Sequence, residues 1–244
     1  MDMKCFLEIH HDIPREGPGT NAITRRAYSY LENLPENPRI LDIGCGPGKQ
    51  TIELAKLSRG QVTAIDLHQP YLETLRKNAA NLGLRNIEIL NCSMDDLPCD
   101  PESIDVIWGE GSIYIMGFKK GLRYLRSFLK PSGYLAVSEI TWLKHGVPEI
   151  CKTYWEKNYD EMYPIEEKER QIREAGYEPV RHFILPKESW WTEYYSYILK
   201  RIEKIEAGKV SREMREVLRL EIEEMDMHRK YSEYYGYVFY IMRK

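Results

Sequence analysis

An excess of charge of one sign is what this sequence most lacks. Across 244 residues, 35 Lys and Arg stand against 38 Asp and Glu, a formal net charge of −3. That balance supplies no broad phosphate-binding face, so nucleic acid is not expected as a partner. Cysteine is sparse and unpatterned: Cys5, Cys45, Cys92, Cys99 and Cys151 are odd in number and never spaced C-x-x-C. This excludes a disulfide framework and predicts reduced thiols in a cytoplasm. Long apolar runs are missing, and residues 1–10 lack the basic and apolar regions of a secretory signal, so neither a membrane span nor a leader is expected. Repeats and low-complexity segments are absent too. What remains, 43% hydrophobic and 30% charged, suits one domain (1–244) with elaborations. The one surplus is tyrosine, 18 residues concentrated in the C-terminal half, which hints at a pocket or an interface.

The chain is organised around residues 39–51. Ile40, Leu41 and Ile43 read as a buried strand, glycines follow at once, and Thr51, Ile52, Leu54, Ala55 and Leu57 fall at helical spacing. In a strand–glycine turn–helix unit the missing Cβ lets backbone approach a ligand. The helix N-terminus behind it offers free N–H groups to a carboxylate or phosphate. A dinucleotide fingerprint needs Gly at the sixth position of the turn, where Lys49 stands, which disfavours a dinucleotide oxidoreductase. About twenty residues on, the strand 61–66 ends in Asp66, where an acid meets ribose hydroxyls in nucleotide-binding α/β units. The alternative is that Asp66 caps the next helix.

The pattern Asp42-x-Gly44-x-Gly46-x-Gly48 resembles motif I of the class I S-adenosylmethionine (SAM)-dependent methyltransferases. A Leu97-Pro98 segment after the third strand, the aspartate-led strand 104–108 and the Leu129-Lys130-Pro131-x-Gly133 turn follow in order. Together these make residues 39–139 similar to the ubiquinone/menaquinone-biosynthesis type of that family. The resemblance implies an α/β, Rossmann-like seven-stranded mixed sheet of order 3-2-1-4-5-7-6 with helices on both faces, and SAM as cofactor. It assigns the methionine end of SAM to Asp42 and the turn (Gly44, Cys45, Gly46, Gly48, with Gln50 behind). The ribose falls to Asp66 with Leu67 beside it, and the adenine to Ser93 and Met94. At this last place the family carries Gly-Asp, and here Cys92 and Ser93 depart from it. The loop at Gly17-Pro18-Gly19-Thr20 resembles loops that close over the ligand in some small-molecule methyltransferases, which adds Gly19 and Thr20 to a SAM-binding core of 17–140. Read plainly, Thr20 is a helix N-cap.

Glu110, between two glycines at the end of the fourth strand, sits where open α/β sheets place reacting groups. It is a candidate both for cofactor contact and for a base, and His145 is a second candidate base. The Asn/Asp-Pro-Pro-Tyr run of enzymes that methylate base amino groups is absent at this place. His10-His11-Asp12 suggests a metal, but adjacent helical histidines diverge, so no metal is expected. Helices are read at 5–13, from Thr20 to Pro35, at 148–163 and at 165–175. Strands at 179–185 and 237–242 bracket a long helical insertion, 190–235, read as a lid whose hinge carries Trp190, Trp191, Tyr194 and Tyr195. The function expected is methyl transfer from SAM to a small-molecule acceptor. The alternative is a SAM-binding sensor or partner subunit without chemistry, and a homodimer is left open.

Overall fold

The computed structural model describes residues 2–159 and 161–244. A seven-stranded sheet runs through it in the order β3-β2-β1-β4-β5-β7-β6. The strands are β1 (Ile40–Ile43), β2 (Val62–Asp66), β3 (Ile87–Asn91), β4 (Ile104–Glu110), β5 (Leu129–Trp142), β6 (Glu178–Ile184) and β7 (Tyr235–Arg243). β1 to β5 are parallel neighbours, whereas β7 inserts antiparallel between β5 and β6. The implied topology is therefore the observed one.

Strand alternation explains why both faces are covered. Leu41, Ile43, Ile107, Leu135 and Val137 face one side, where α5 (Phe118–Arg126) and α7 (Ile165–Glu174) contribute Leu122, Leu125 and Ile172. Ile40, Val62, Val106, Trp108 and Ala136 face the other, against α2 (Asn21–Tyr28) and α3 (Lys49–Leu57). Here α4 (Gln69–Asn81) adds Leu72 and Leu75. A parallel sheet buried on both faces calls for near-continuous apolar strands, and β1 is buried at every position.

Several boundaries differ from the sequence reading, each for a visible reason. The N-terminal helix α1 is Met3–Ile9. α2 stops at Tyr28, well before Pro35, and Ser29 Oγ bonds back to Arg26 O. Tyr30, Leu31 and Leu34 still pack on the core, but outside a helix. Lys130-Pro131-Ser132-Gly133 lies inside β5 as an irregularity, with pairing jumping from Ile104↔Leu129 to Val106↔Tyr134. The helix expected over 148–163 is observed as α6 (Glu149–Asn158), and residue 160 lies outside the described residues.

The insertion is helical, as read: a π-helical turn at Trp191–Tyr195, then α8 (Ser196–Glu206) and α9 (Arg212–Tyr231). Its first aromatics are packed inward. Trp190, Tyr194 and Tyr195 are buried in a second core with Ile9 and Ile13, Trp155 from α6, Met225 from α9, and Tyr235. α1 is therefore welded to the insertion. None of the residues from 190 to 235 lines the cavity described next.

Candidate functional site

At the carboxyl ends of β1, β2 and β4 lies a cavity of about 320 Å³, within the usual scale of ligand pockets. Its floor is the glycine turn. Gly44, Gly46 and Gly48 all have positive φ (62°, 52° and 85°), the conformation that favours glycine. They differ in what surrounds them. A Cβ on Gly44 would sit 2.6 Å from Ser112 Cβ, and one on Gly48 2.2 Å from Leu75 Cδ1. At Gly46 the nearest atom would be Glu16 Cγ at 3.5 Å, so the floor is bare there. Gln50 Nε2 donates to Cys45 O at 2.9 Å and holds the turn closed.

Asp66 stands at one end of the floor. Its Oδ2 accepts from Gly46 N at 2.9 Å and its Oδ1 from His68 N at 2.8 Å. Asp66 thus pins the turn and the entry to α4, and it remains half-buried on the cavity wall. A carboxylate has about four acceptor sites, so two remain for a ligand. Beside it Leu67 is exposed, and Cys92, Ser93 and Met94 complete this side.

Four expected contacts lie off the cavity wall. Asp42 alternates with Leu41 and Ile43, so its side chain points toward α3, where Thr51 Oγ1 donates to Oδ2 at 2.6 Å. Burial pushes its carboxyl up to about 8, against the Thr51 hydrogen bond, so Asp42 is a buried strut under the turn. Gly48 caps α3 and packs on Leu75. Thr20 is the N-cap of α2, accepting from Ile23 N, and Gly19 is buried beside Arg15 and Glu110. His145 also lies off the cavity wall, exposed to solvent. β5 continues pairing with β7 to Trp142, past the end of β4 at Glu110, and carries His145 beyond the site.

Glu110 ends β4 rather than sitting in a loop, and its side chain is 6% exposed. Thr24 Oγ1 (2.7 Å) and Trp108 Nε1 (3.1 Å) donate to Oε1, and Arg15 donates to Oε2 (3.1 Å). Arg15 also donates to Glu193 Oε2 and Asn21 Oδ1, both at 2.8 Å. This network ties the roof of the cavity to its wall.

Of the roof, the sequence offers only the loop at Gly17-Pro18. Phe6, Leu7, Arg15, Glu16, Gly17 and Pro18 cover the cavity, and Tyr71, Tyr114 and Ile115 flank it. His10 fastens the roof: its Nδ1 lies 2.7 Å from Glu16 Oε2 and its Nε2 3.3 Å from Glu221 Oε1 on α9. Two carboxylates, which only accept, require both ring nitrogens to carry protons. Burial pulls the His10 pKa down, but the hydrogen bonds from Glu16 and Glu221 outweigh it and hold it at about 9. The metal suggested by His10-His11-Asp12 is replaced at His10 by this ion pairing.

A pKa raised on folding contributes stability that is fully present below the unfolded value, near 6.5, and lost as pH rises through about 9. The stability advantage of the wild type over His10→Gln should therefore shrink across that window, by up to about 3 kcal/mol. Urea titrations at pH 6 and pH 9.5 read it, and an equal difference at both would show that His10 is neutral in the fold.

A family described as "Methyltransferase domain" matches residues 34–201. Among named relatives, EEF1A lysine methyltransferase 2 of Danio rerio is 31% identical over 134 residues, 51% of this chain and 58% of that protein. A demethylmenaquinone methyltransferase of Staphylococcus epidermidis is 30% identical over 110 residues, 44% of this chain and 45% of its own. The chain spans about half the length of the curated relatives it matches. Among solved structures, a SAM-dependent methyltransferase from Thiobacillus denitrificans in complex with S-adenosyl-L-homocysteine superposes with a TM-score of 0.84. Its identity is 21%, and the match covers 97% of this chain and 96% of that one. The [4+2]-cyclase SpnF superposes at 0.75 and 20% identity, covering 99% and 92%. These two likenesses establish the fold.

Proposed function

The chain belongs to the methyltransferase-domain family, and from that premise we propose that it transfers a methyl group from SAM to a small-molecule acceptor. The observation that carries this is the bare floor at Gly46, with Asp66 hydrogen-bonded to it, under one roofed cavity. SAM supplies an electrophilic methyl on a sulfonium. On this reading the backbone at Gly44 and Gly46 receives the methionine end, the two free acceptor sites of Asp66 the ribose diol, and Leu67, Ser93 and Met94 the adenine. Phe6 and Leu7 exclude water from the reacting end. Glu110 positions Arg15 and the roof rather than moving a proton. Residues 1–244 act as one domain, with 17–140 as the binding core and the 190–235 insertion buttressing the roof. A roofed cavity suits a small acceptor better than a folded protein surface. Among the described residues no helix is long and apolar enough to cross a membrane, and all five cysteines are free, which fits the cytoplasm.

Incubating the protein with SAM and separate pools of metabolites and of denatured peptides tests the reading. Formation of S-adenosylhomocysteine (SAH) with the metabolite pool supports it. Formation with peptides alone would overturn the small-molecule acceptor, and formation with neither would favour a sensor.

Asp66→Ala should weaken SAH binding by about 1.5–3 kcal/mol, the scale of hydrogen bonds to a charged group. The variant also frees Gly46 N and His68 N, so the informative comparison is with a ligand lacking the ribose hydroxyls. Calorimetry should find a smaller loss for that analogue. Equal losses would make Asp66 a purely structural pin.

A further inference from the structure

Arg15 and Glu16 are neighbours in the roof, both line the cavity, and the contacts described so far exhaust neither. Nε–H of Arg15 serves Glu193. Each terminal nitrogen carries a pair of hydrogens and uses one, Nη1 on Glu110 and Nη2 on Asn21, so each keeps a hydrogen to donate. The side chain is 4% exposed, which leaves those hydrogens little solvent to meet. Gly19 clears space beside them, since a Cβ there would lie 3.5 Å from Arg15 Nη1 and 3.1 Å from Glu110 Oε2. Glu16 shows the opposite deficit. Its Oε2 is paired with His10, whereas Oε1 is buried and meets no hydrogen-bond donor among the described residues. An orphaned carboxylate oxygen is costly, and it calls for a donor from outside the fold.

The other acids on the wall are already committed. Both oxygens of Glu110 accept hydrogen bonds, from Thr24 and Trp108 on one side and Arg15 on the other. Asp66 holds the backbone at Gly46 and His68. Asp95, on the Ser93 side, pairs with Lys120 at 3.4 Å. Arg15 is the one Lys or Arg among the described lining residues. Glu16 meets the bare floor, its Cγ 3.5 Å from where a Cβ on Gly46 would sit. A spare anionic oxygen and a cation with spare donors therefore share the roof above the glycine turn.

Resting on the methyl-transfer reading above, we infer that Arg15 and Glu16 clamp the zwitterionic amino-acid end of the cofactor, Arg15 taking its α-carboxylate and Glu16 its α-ammonium. Guanidinium N–H groups suit carboxylate oxygens, and an ammonium is a donor that satisfies the orphaned Oε1 of Glu16. The turn glycines supply room and backbone, and the roof supplies the charges. Glu110 and Glu193 act through Arg15 as positioning residues, because their hydrogen bonds fix the plane of its guanidinium. The clamp also couples ligand to structure. Arg15 is fastened to β4 and to the insertion, and Glu16 reaches α9 through His10 and Glu221. A ligand carrying both charges ties floor, roof and insertion together, whereas one lacking them leaves the roof to its own contacts.

Calorimetry on the full chain tests the clamp with SAH, decarboxylated SAH and deaminated SAH, the last two each lacking one charge of the amino-acid end. Each truncation should weaken binding to the wild type by at least about tenfold, the scale of a hydrogen bond to a charged group. Arg15→Lys keeps the charge and loses the planar fork. It should weaken SAH by at least about tenfold and decarboxylated SAH by less than about threefold. Glu16→Gln, whose amide oxygen still accepts from His10, should weaken SAH by a like factor and spare deaminated SAH. A purely structural role would weaken all three ligands alike, and that result overturns the clamp. Wild-type affinities for both truncated ligands within about threefold of SAH overturn it too, and leave the methyl-transfer reading standing. Should either variant fail to fold, hydrogen exchange of the wild type decides. Protection of residues 6–18 by SAH and not by methylthioadenosine, which lacks both charges, supports the clamp, and equal protection by the two contradicts it. Failure of the wild type to bind SAH overturns the methyl-transfer reading itself, and this inference with it.

Discussion

Gly46→Arg should abolish SAH binding, a loss of at least about a hundredfold or 2.7 kcal/mol, in a protein that keeps its fold. The three turn glycines do not offer equivalent tests. Gly44 and Gly48 are hemmed in by Ser112 and Leu75, at 2.6 and 2.2 Å from a notional Cβ, so any side chain there disturbs packing before it reaches a ligand. At Gly46 a Cβ meets only Glu16 Cγ at 3.5 Å. The backbone cost is that of a side chain at φ +52°, roughly 1–2 kcal/mol. Beyond the Cβ an arginine can grow only into the cavity, where Glu16 and Asp66 attract its guanidinium. Circular dichroism should therefore be unchanged while calorimetric heats vanish. Retained affinity would remove the glycine turn from the site.

Trp190→Ala should cost about 3–5 kcal/mol of stability, the range for a large aromatic deleted from a core. In a chain of this size that corresponds to a fall in Tm of about 10 °C. Trp190 is 2% exposed and packs on His228 at 4.5 Å, Tyr237 at 5.4 Å, Tyr195 at 5.6 Å and Tyr235 at 6.0 Å between ring centroids. Removing it opens a hole where α8, α9 and β7 meet. A lid hinge behaves otherwise, changing acceptor kinetics with little change in melting. Differential scanning calorimetry separates the two, and an unshifted Tm with altered acceptor KM would reinstate the hinge.

Features written in local pattern were legible from the sequence. The strand–glycine turn–helix unit, the acid closing β2, the Thr20 cap and the helical insertion each depend on neighbours a few residues apart. Features made by distant partners were not. His10 meets Glu221 from 211 residues away, and Arg15 meets Glu193, so the roof has no sequence signature before the loop at Gly17-Pro18. The motif resemblance assigns Asp42 to the ligand, and strand parity turns its side chain toward Thr51. Alternation alone pointed that way, since Ile40 and Asp42 must share a face. His145 lies off the wall for a different reason: β5 runs on to Trp142 because β7 pairs with it there, and no local residue announces that. Tyr194 and Tyr195, read beside the hinge of a lid, are buried in the second core with Trp190 and Tyr235, a placement that only packing could reveal.

The most direct test of the cofactor site is a calorimetric titration of the wild-type protein with SAH, run beside one with NAD. One SAH per chain, with micromolar affinity and no heat from NAD, is the predicted result. Heat from NAD with none from SAH would contradict the account at its centre, because the same glycine turn would then serve a dinucleotide.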